Sequence, residues 1–173
     1  MFNIIRDIII YEGSGMMVEV KRINYIDLDI LEKITTWMYE FEGKEKGYSY
    51  DEVKSFMKTG MSNDYPYTYG IFLDNKFIGM CQVSYGILEI GGVCYPWFMN
   101  MYIDKKYRDK GYCRKLFNEV KSILKETTDF TMAIASSEYD DFLDRLDCFY
   151  LCDVEMKLNG KTTKEKIYRI LLR

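Results

Sequence analysis

Trp97-Phe98-Met99-Asn100-Met101-Tyr102-Ile103, then Asp104 to Tyr107, then Arg108-Asp109-Lys110-Gly111-Tyr112-Cys113 is the stretch whose reading decides the fold. An apolar run comes first, a basic glycine turn follows, and an amphipathic run from Leu116 to Leu124 closes it. Strand, turn and helix start in that order make an anion cradle. The first four N–H groups of a helix have no intrahelical partner, and the helix dipole favours negative charge at that end. Gly111 lets the chain take a positive φ or approach a ligand closely. Arg108, Lys110, Arg114 and Lys115 add four positive charges to the same turn. A diphosphate fits such a site.

The spacing resembles the acetyl-coenzyme A loop of the GCN5-related N-acetyltransferases (GNAT), whose signature is Arg or Gln, two residues, Gly, one residue, then Gly or Ala. Arg108 and Gly111 take the first two fixed positions, and Cys113, another small residue, takes the last. The family's apolar strand end and polar spacer correspond to Met101-Tyr102-Ile103 and Asp104 to Tyr107.

Working outward, Val18 to Ile23 alternates as a strand, and Asp27 reads as the N-cap of a helix with Leu28, Leu31, Ile34, Trp37, Met38 and Phe41 on one face. Gly43 ends that helix. Ser49 with Glu52 three residues on is a capping box, which predicts a second helix over Tyr50 to Lys58. Tyr67 to Leu73 and Lys76 to Tyr85 are β-rich, and Asp74-Asn75 between them predicts a tight hairpin turn. Gly91-Gly92 breaks the chain before a strand over Tyr95 to Ile103. After the cradle helix come a short buried strand, Phe130 to Ala135, and a helix near Tyr139 to Leu146. Two closing strands, Phe149 to Leu158 and Glu165 to Leu172, are joined by Asn159-Gly160.

The order β, α, α, β, β, β, α, β, α, β, β is similar to that of the family from Val18 onward. The resemblance implies an α/β (α+β) GNAT fold: a mixed central sheet of about seven strands, about four flanking helices, and a splayed central strand pair where the acyl carrier sits. The domain reading is one N-acetyltransferase domain over residues 17–173. Residues 1–16 form an N-terminal extension in which Ile4, Ile5, Ile8, Ile9 and Ile10 precede a Glu12-Gly13-Ser14-Gly15 linker. Two readings stay open there: an extra strand or short helix packed on the domain, or translation from Met16 or Met17.

At 173 residues with 48% apolar content, the chain is the size of one ordinary globular domain. Its net charge of −3 argues against general nucleic-acid binding despite the local basic turn. No apolar run approaches the roughly 20 residues that span a bilayer, which points to a cytoplasmic protein without a membrane partner. The 5 cysteines, Cys81, Cys94, Cys113, Cys148 and Cys152, are odd in number and form no Cys-x-x-Cys pair, which suits reduced thiols. With no histidine either, a zinc or other metal site is not expected.

What the resemblance implies for chemistry is direct acetyl transfer from acetyl-coenzyme A, as cosubstrate, to an amine. Backbone amides of Met101, Tyr102 and Ile103 would hold the pantetheine arm and polarise the thioester. Those of Arg108, Asp109, Lys110, Gly111, Tyr112, Cys113 and Arg114 would hold the diphosphate. The family's acid tyrosine, three residues before a Phe-Gly or Tyr-Gly pair, aligns with Leu143, and the pair aligns with Leu146-Asp147. Tyr139 and Tyr150 are the nearest substitutes, and Glu42, with Glu40 and Glu89, is a carboxylate candidate for base or amine attraction. Aromatic residues from Trp37 to Trp97 fall in the segments bordering the acceptor, and rings beside carboxylates suit a protonated amine. Segments Trp37 to Tyr50 and Tyr95 to Ile103 also resemble an uncharacterised bacterial subgroup of the family.

The leading reading is therefore an acetyl-coenzyme A dependent N-acetyltransferase acting on a small primary amine. The rival is a degenerate member that binds acyl-coenzyme A or a protein partner without turnover, motivated by Leu143. A third is a structural protein whose basic turn binds no nucleotide. Pairing through the C-terminal strands, as family members often do, would give a homodimer.

Overall fold

In the computed structural model, the structure describes residues 8–11, 16–23, 27–61, 65–86, 88–137, 140–158 and 161–173. The chain packs as two compact units, Met1–Val83 with Asn100–Val120, and Ser84–Met99 with Lys121–Arg173.

The first unit begins with β1 (Ile8–Tyr11) and β2 (Met17–Ile23), paired antiparallel with Ile10 opposite Val18. The N-terminal extension thus carries a strand over Ile8–Tyr11. Helix α1 (Leu28–Met38) starts where expected: the Asp27 carboxylate accepts from the Ile30 amide at 3.1 Å. Its buried face is Leu31, Ile34, Thr35 and Met38, each apolar side chain contributing about 1.5–3 kcal/mol by leaving water. Leu28, on the predicted face, is instead 67% exposed at the helix start. The chain does not stop cleanly at the end of α1 but passes into a π-helical turn, Tyr39–Gly43, closed by the Lys44 amide on the Tyr39 carbonyl at 2.9 Å. That wider turn leaves Phe41 exposed, whereas an α-helical continuation would place it on the buried stripe.

Helix α2 (Tyr50–Thr59) carries the capping box in full, with Ser49 accepting from the Glu52 amide and Glu52 accepting from the Ser49 amide at 2.7 Å. Strands β3 (Tyr67–Leu73) and β4 (Lys76–Ser84) form the predicted hairpin. Asp74 and Asn75 take φ of 47° and 64°, the paired left-handed conformation that a tight two-residue hairpin turn demands. The neighbour order in this unit is β1, β2, β3, β4, then the second half of β7 (Trp97–Ile103). The core gathers Ile23, Leu31, Ile34, Met38, Met61, Phe72, Phe77 and Met80 between α1, α2 and the sheet.

In the second unit, a small hairpin of β5 (Glu89–Ile90) and β6 (Val93–Cys94) turns on Gly91 and Gly92, whose φ values are 61° and 81°. The first residues of β7 pair in parallel with β8 (Met132–Ser136) through Trp97 opposite Ile134 and Phe98 opposite Ala135. The register of this parallel pair covers Trp97 and Phe98. β10 (Lys161–Leu171) lies between β8 and β9 (Phe149–Leu158), antiparallel to both. Trp97, Ile134 and Ile167 centre the core here. Asn159-Gly160 lies outside the described residues. Helix α3 (Tyr112–Thr127) divides between the units, and α4 (Asp140–Asp144) belongs to the second. Counting β1, the mixed sheet has eight strands among the described residues, against the seven expected.

Candidate active site

The cradle forms at the end of β7, within the first unit. Asn100 interrupts the strand with φ of 50°, and Met101-Tyr102-Ile103 then run on to Asp104, whose amide donates to the Ile78 carbonyl of β4 at 2.9 Å. The Asp104 carboxylate caps a single 3-10 turn, Lys105–Tyr107, by accepting from the Lys106 amide at 3.1 Å. Asp109 and Gly111 follow with φ of 61° and 80°. Two left-handed residues so close together turn successive amides toward one side, which is how short loops bind anions. The Gly111 carbonyl accepts from the Lys115 amide at 3.0 Å, so the amides of Tyr112, Cys113 and Arg114 lie in the first turn of α3, ahead of that bond.

Gly111 is required for its φ and not for want of room, because a Cβ built there meets no atom within 4 Å. Arg108 is committed elsewhere: its Nε donates to the Ile103 carbonyl at 2.9 Å, and its guanidinium lies 5.0 Å from the Tyr102 ring centre. It folds the turn back onto the strand. The Cys113 sulfur lies 3.4 Å from the Met101 sulfur, a second tie between helix start and strand. Burial pushes the Cys113 thiol up to about 11, against the pull of Arg108 and Arg114, so it is neutral at physiological pH.

An aromatic ladder borders β7. Trp37 stacks on Phe77 and on Tyr102, each at 5.2 Å, and Phe41 meets Tyr102 edge-on at 5.7 Å. The two inner rings carry cations of the protein itself, Arg108 over Tyr102 and Lys33 over Trp37 at 4.9 Å. Lys33 also donates to the Phe77 carbonyl at 2.6 Å, and burial holds its ammonium below the usual lysine range. A second aromatic group joins Tyr65 and Tyr67, stacked at 4.0 Å, with the Arg22 guanidinium 3.7 Å above Tyr67. Most of the rings therefore pack on one another. Phe41 at 47% and Phe56 at 49% are exposed.

The proposed acid and base residues belong to different elements of the chain. Glu42 sits in the π-helical turn, with its carboxylate on the Lys46 ammonium at 2.7 Å. Tyr150 lies on β9 at 55% exposure, and desolvation of its hydroxyl together with Asp153 raises its phenol above the usual value. Tyr139 lies outside the described residues. Leu143 is a buried core residue at 2% exposure. In the following turn Cys148 N–H donates to Leu143 O at 3.1 Å, Asp147 N–H donates to Asp144 O at 3.1 Å, and Asp147 has φ of 59°. This is a Schellman helix end with Asp147 in the left-handed position that glycine ordinarily fills.

A polar row that the sequence reading missed begins at Asn100. Its Nδ2 donates to Gln82 Oε1 at 2.6 Å, Gln82 Nε2 donates to Thr68 Oγ1 at 2.9 Å, and Thr68 Oγ1 donates to the Gly60 carbonyl at 2.6 Å. The signal was present as Gln82 and Asn100, two amide side chains in otherwise apolar strands.

The family model for the acetyltransferase (GNAT) family matches residues 28–146, most of the chain and all of the cradle. The chain belongs to the GNAT family. It is an N-acetyltransferase of the EC 2.3.1 class, and the GNAT fold uses acetyl-coenzyme A. Three solved structures share that fold. An N-acetyltransferase from Staphylococcus aureus Mu50 is 14% identical, with TM-score 0.67 over 90% of this chain and 98% of that one. The ribosomal L7/L12 alpha-N-protein acetyltransferase RimL, solved with coenzyme A, is 12% identical, with TM-score 0.64 over 89% and 93%. A chimera of spermidine N-acetyltransferase SpeG from Vibrio cholerae and hSSAT is 14% identical, with TM-score 0.62 over 90% and 95%. No curated protein matches the sequence of this GNAT member. Among the described residues no helix is long and apolar enough to cross a membrane, and no cluster of three His, Cys, Asp or Glu could hold a metal.

Proposed function

We propose that this GNAT protein moves an acetyl group from acetyl-coenzyme A directly to a primary amine of a small molecule. The observation that carries the reading is the left-handed pair Asp109 and Gly111 in the turn between β7 and α3, with open space around Gly111. The donor set fits the cosubstrate: amides from Arg108 to Arg114 suit a diphosphate, and the run Met101, Tyr102, Ile103 suits an extended amide-bearing arm.

When bound, acetyl-coenzyme A supplies a thioester carbon open to attack by an amine. The chain's part is positioning and polarisation. An N–H of β7 aimed at the carbonyl oxygen stabilises the charge that develops there, and loss of one such donor costs about 3 kcal/mol in other enzymes. Holding both substrates side by side removes further entropy from the barrier. Tyr139 and Tyr150 are the groups proposed to protonate the departing thiolate, with water as the fallback.

For the acceptor, Phe41 is exposed within a turn that also carries Glu40 and Glu42, a ring beside carboxylates on the surface of the first unit. That pairing suits an acceptor that arrives as a protonated amine. Spermidine, named for the SpeG chimera, is one such acceptor. Further proposals are a single catalytic domain over residues 17–173, residence in the cytoplasm, and a homodimer through the C-terminal strands.

The second reading, binding without turnover, rests on Leu143, whose side chain is packed in the core where the family carries its acid tyrosine. A thiol-release assay with acetyl-coenzyme A and a panel of polyamines and amino sugars separates the two. Release above the rate without enzyme supports transfer. Tight binding of acetyl-coenzyme A with no release on any amine supports the second reading.

A further inference from the structure

We infer that Gln82 is a positioning residue for the acyl-carrier strand: tied to Thr68 and Gly60, its amide holds Asn100 in the left-handed conformation that aims the amides of Met101 to Ile103. The inference rests on the proposed acetyl-coenzyme A site. Four observations carry it.

Gln82 and Thr68 are both fully buried, at 0% exposure. A buried primary amide is costly unless its groups are paired, so its presence among the buried apolar residues Ile78, Met80, Cys81 and Val83 of β4 needs a reason. The row also has one direction. The Gly60 carbonyl can only accept, so the Thr68 hydroxyl must donate to it, which leaves a Thr68 lone pair for Gln82 Nε2. The Gln82 oxygen is then turned toward Asn100, which must donate. A single carbonyl at the end of α2 thus fixes the orientation of every amide up to β7.

At the far end, Asn100 takes φ of 50°, a conformation that costs most non-glycine residues about 1–2 kcal/mol and that asparagine tolerates best. A left-handed residue inside a strand breaks the alternation and re-aims the residues after it, here Met101, Tyr102 and Ile103. At the near end, Gly60 has φ of −70°, which any residue adopts, yet a Cβ there would lie 2.0 Å from Gln82 Nε2 and 2.8 Å from Thr68 Oγ1. Glycine is needed at position 60 for the amide of Gln82, not for its own backbone.

The test is calorimetric titration of the full chain with acetyl-coenzyme A, the wild type first, then Gln82→Leu, Gly60→Ala and the double variant Gln82→Leu with Asn100→Gly. Gln82→Leu should weaken binding by about tenfold, the scale of one lost hydrogen bond. Gly60→Ala should act in the same direction by displacing the same amide, and it reports even where Gln82→Leu fails to fold. Asn100→Gly should recover most of the loss, because glycine adopts the left-handed conformation without a tie. A merely structural row would lower the melting temperature and leave affinity untouched, and glycine in the strand would then only deepen the loss of stability. Unchanged affinity in both single variants, or no recovery by Asn100→Gly, overturns the inference. A wild-type chain with no affinity overturns the proposed acetyl-coenzyme A site itself, a separate result read before any variant.

Discussion

Arg108 Nε donates to the carbonyl of Ile103 at 2.9 Å, closing the loop between the end of β7 and the start of the cradle by a bond within the protein. The family signature admits Arg or Gln at this position, and the bond supplies a physical reason: both side chains carry an N–H that reaches a backbone carbonyl. Arg108→Gln should therefore keep acetyl-coenzyme A affinity within about threefold, whereas Arg108→Leu should cost about 1 kcal/mol of folding stability and a comparable loss in binding. Urea unfolding and calorimetric titration of the two variants check this, and equal behaviour of Gln and Leu would contradict it.

Gly111→Val places a β-branched residue at φ of 80° and fills the open space before α3. The strain is about 1–2 kcal/mol, so the protein should fold with a lower melting temperature. Acetyl-coenzyme A binding should be lost. A variant that folds and binds as the wild type does would mean the diphosphate lies elsewhere.

The Schellman end of α4 gives a stability prediction independent of catalysis. Asp147 holds φ of 59° where the family has glycine, so Asp147→Val should lie about 1–2 kcal/mol below Asp147→Gly in unfolding free energy. The comparison between the two variants cancels whatever the carboxylate contributes.

Burial raises the Cys113 and Cys148 thiols from 9.0 to about 11. Each group keeps its proton in the folded chain at a pH where the unfolded chain has lost it, so the folded state binds more protons and stability falls as pH rises. The loss should run from about pH 9 to pH 11, and Cys113→Ala should flatten part of it in a pH series of urea unfolding. A fall that is unchanged in the variant would count against the buried thiol as its cause.

Tyr150, as a proposed acid, must be protonated to act, and its phenol is raised above the ordinary tyrosine value by desolvation and by Asp153. Turnover should thus hold through neutral and mildly alkaline pH, falling only above the ordinary tyrosine range. Tyr139→Phe or Tyr150→Phe should lower kcat and leave acetyl-coenzyme A affinity in place. If neither does, water is the proton source.

Elements set by local chemistry were legible in the sequence. The Asp27 cap, the Ser49 and Glu52 box and the Asp74-Asn75 turn depend on residues within four positions of each other, and all three form as read. Gly111 was legible for the same reason. The hairpin on Gly91-Gly92 was seen only as a break, because strands of two residues are too short to show alternation. The π-helical turn was missed because one inserted residue shifts the bond pattern without changing the apolar spacing before it, and Phe41 moved to the surface as a result. Asn100, Gln82, Thr68 and Gly60 lie far apart in the chain, so what joins them exists only once β3, β4 and β7 are paired. The helix end at Leu146-Asp147 was not legible, because an aspartate at a left-handed position gives no signal of the kind glycine does.

Whether the chain transfers acetyl groups is decided by calorimetric titration of the wild-type chain with acetyl-coenzyme A, followed in the same sample by thiol release against a panel of small amines. Acetyl-coenzyme A should bind saturably at one site per chain, and free coenzyme A should be released with at least one amine. No binding of acetyl-coenzyme A would contradict such transfer.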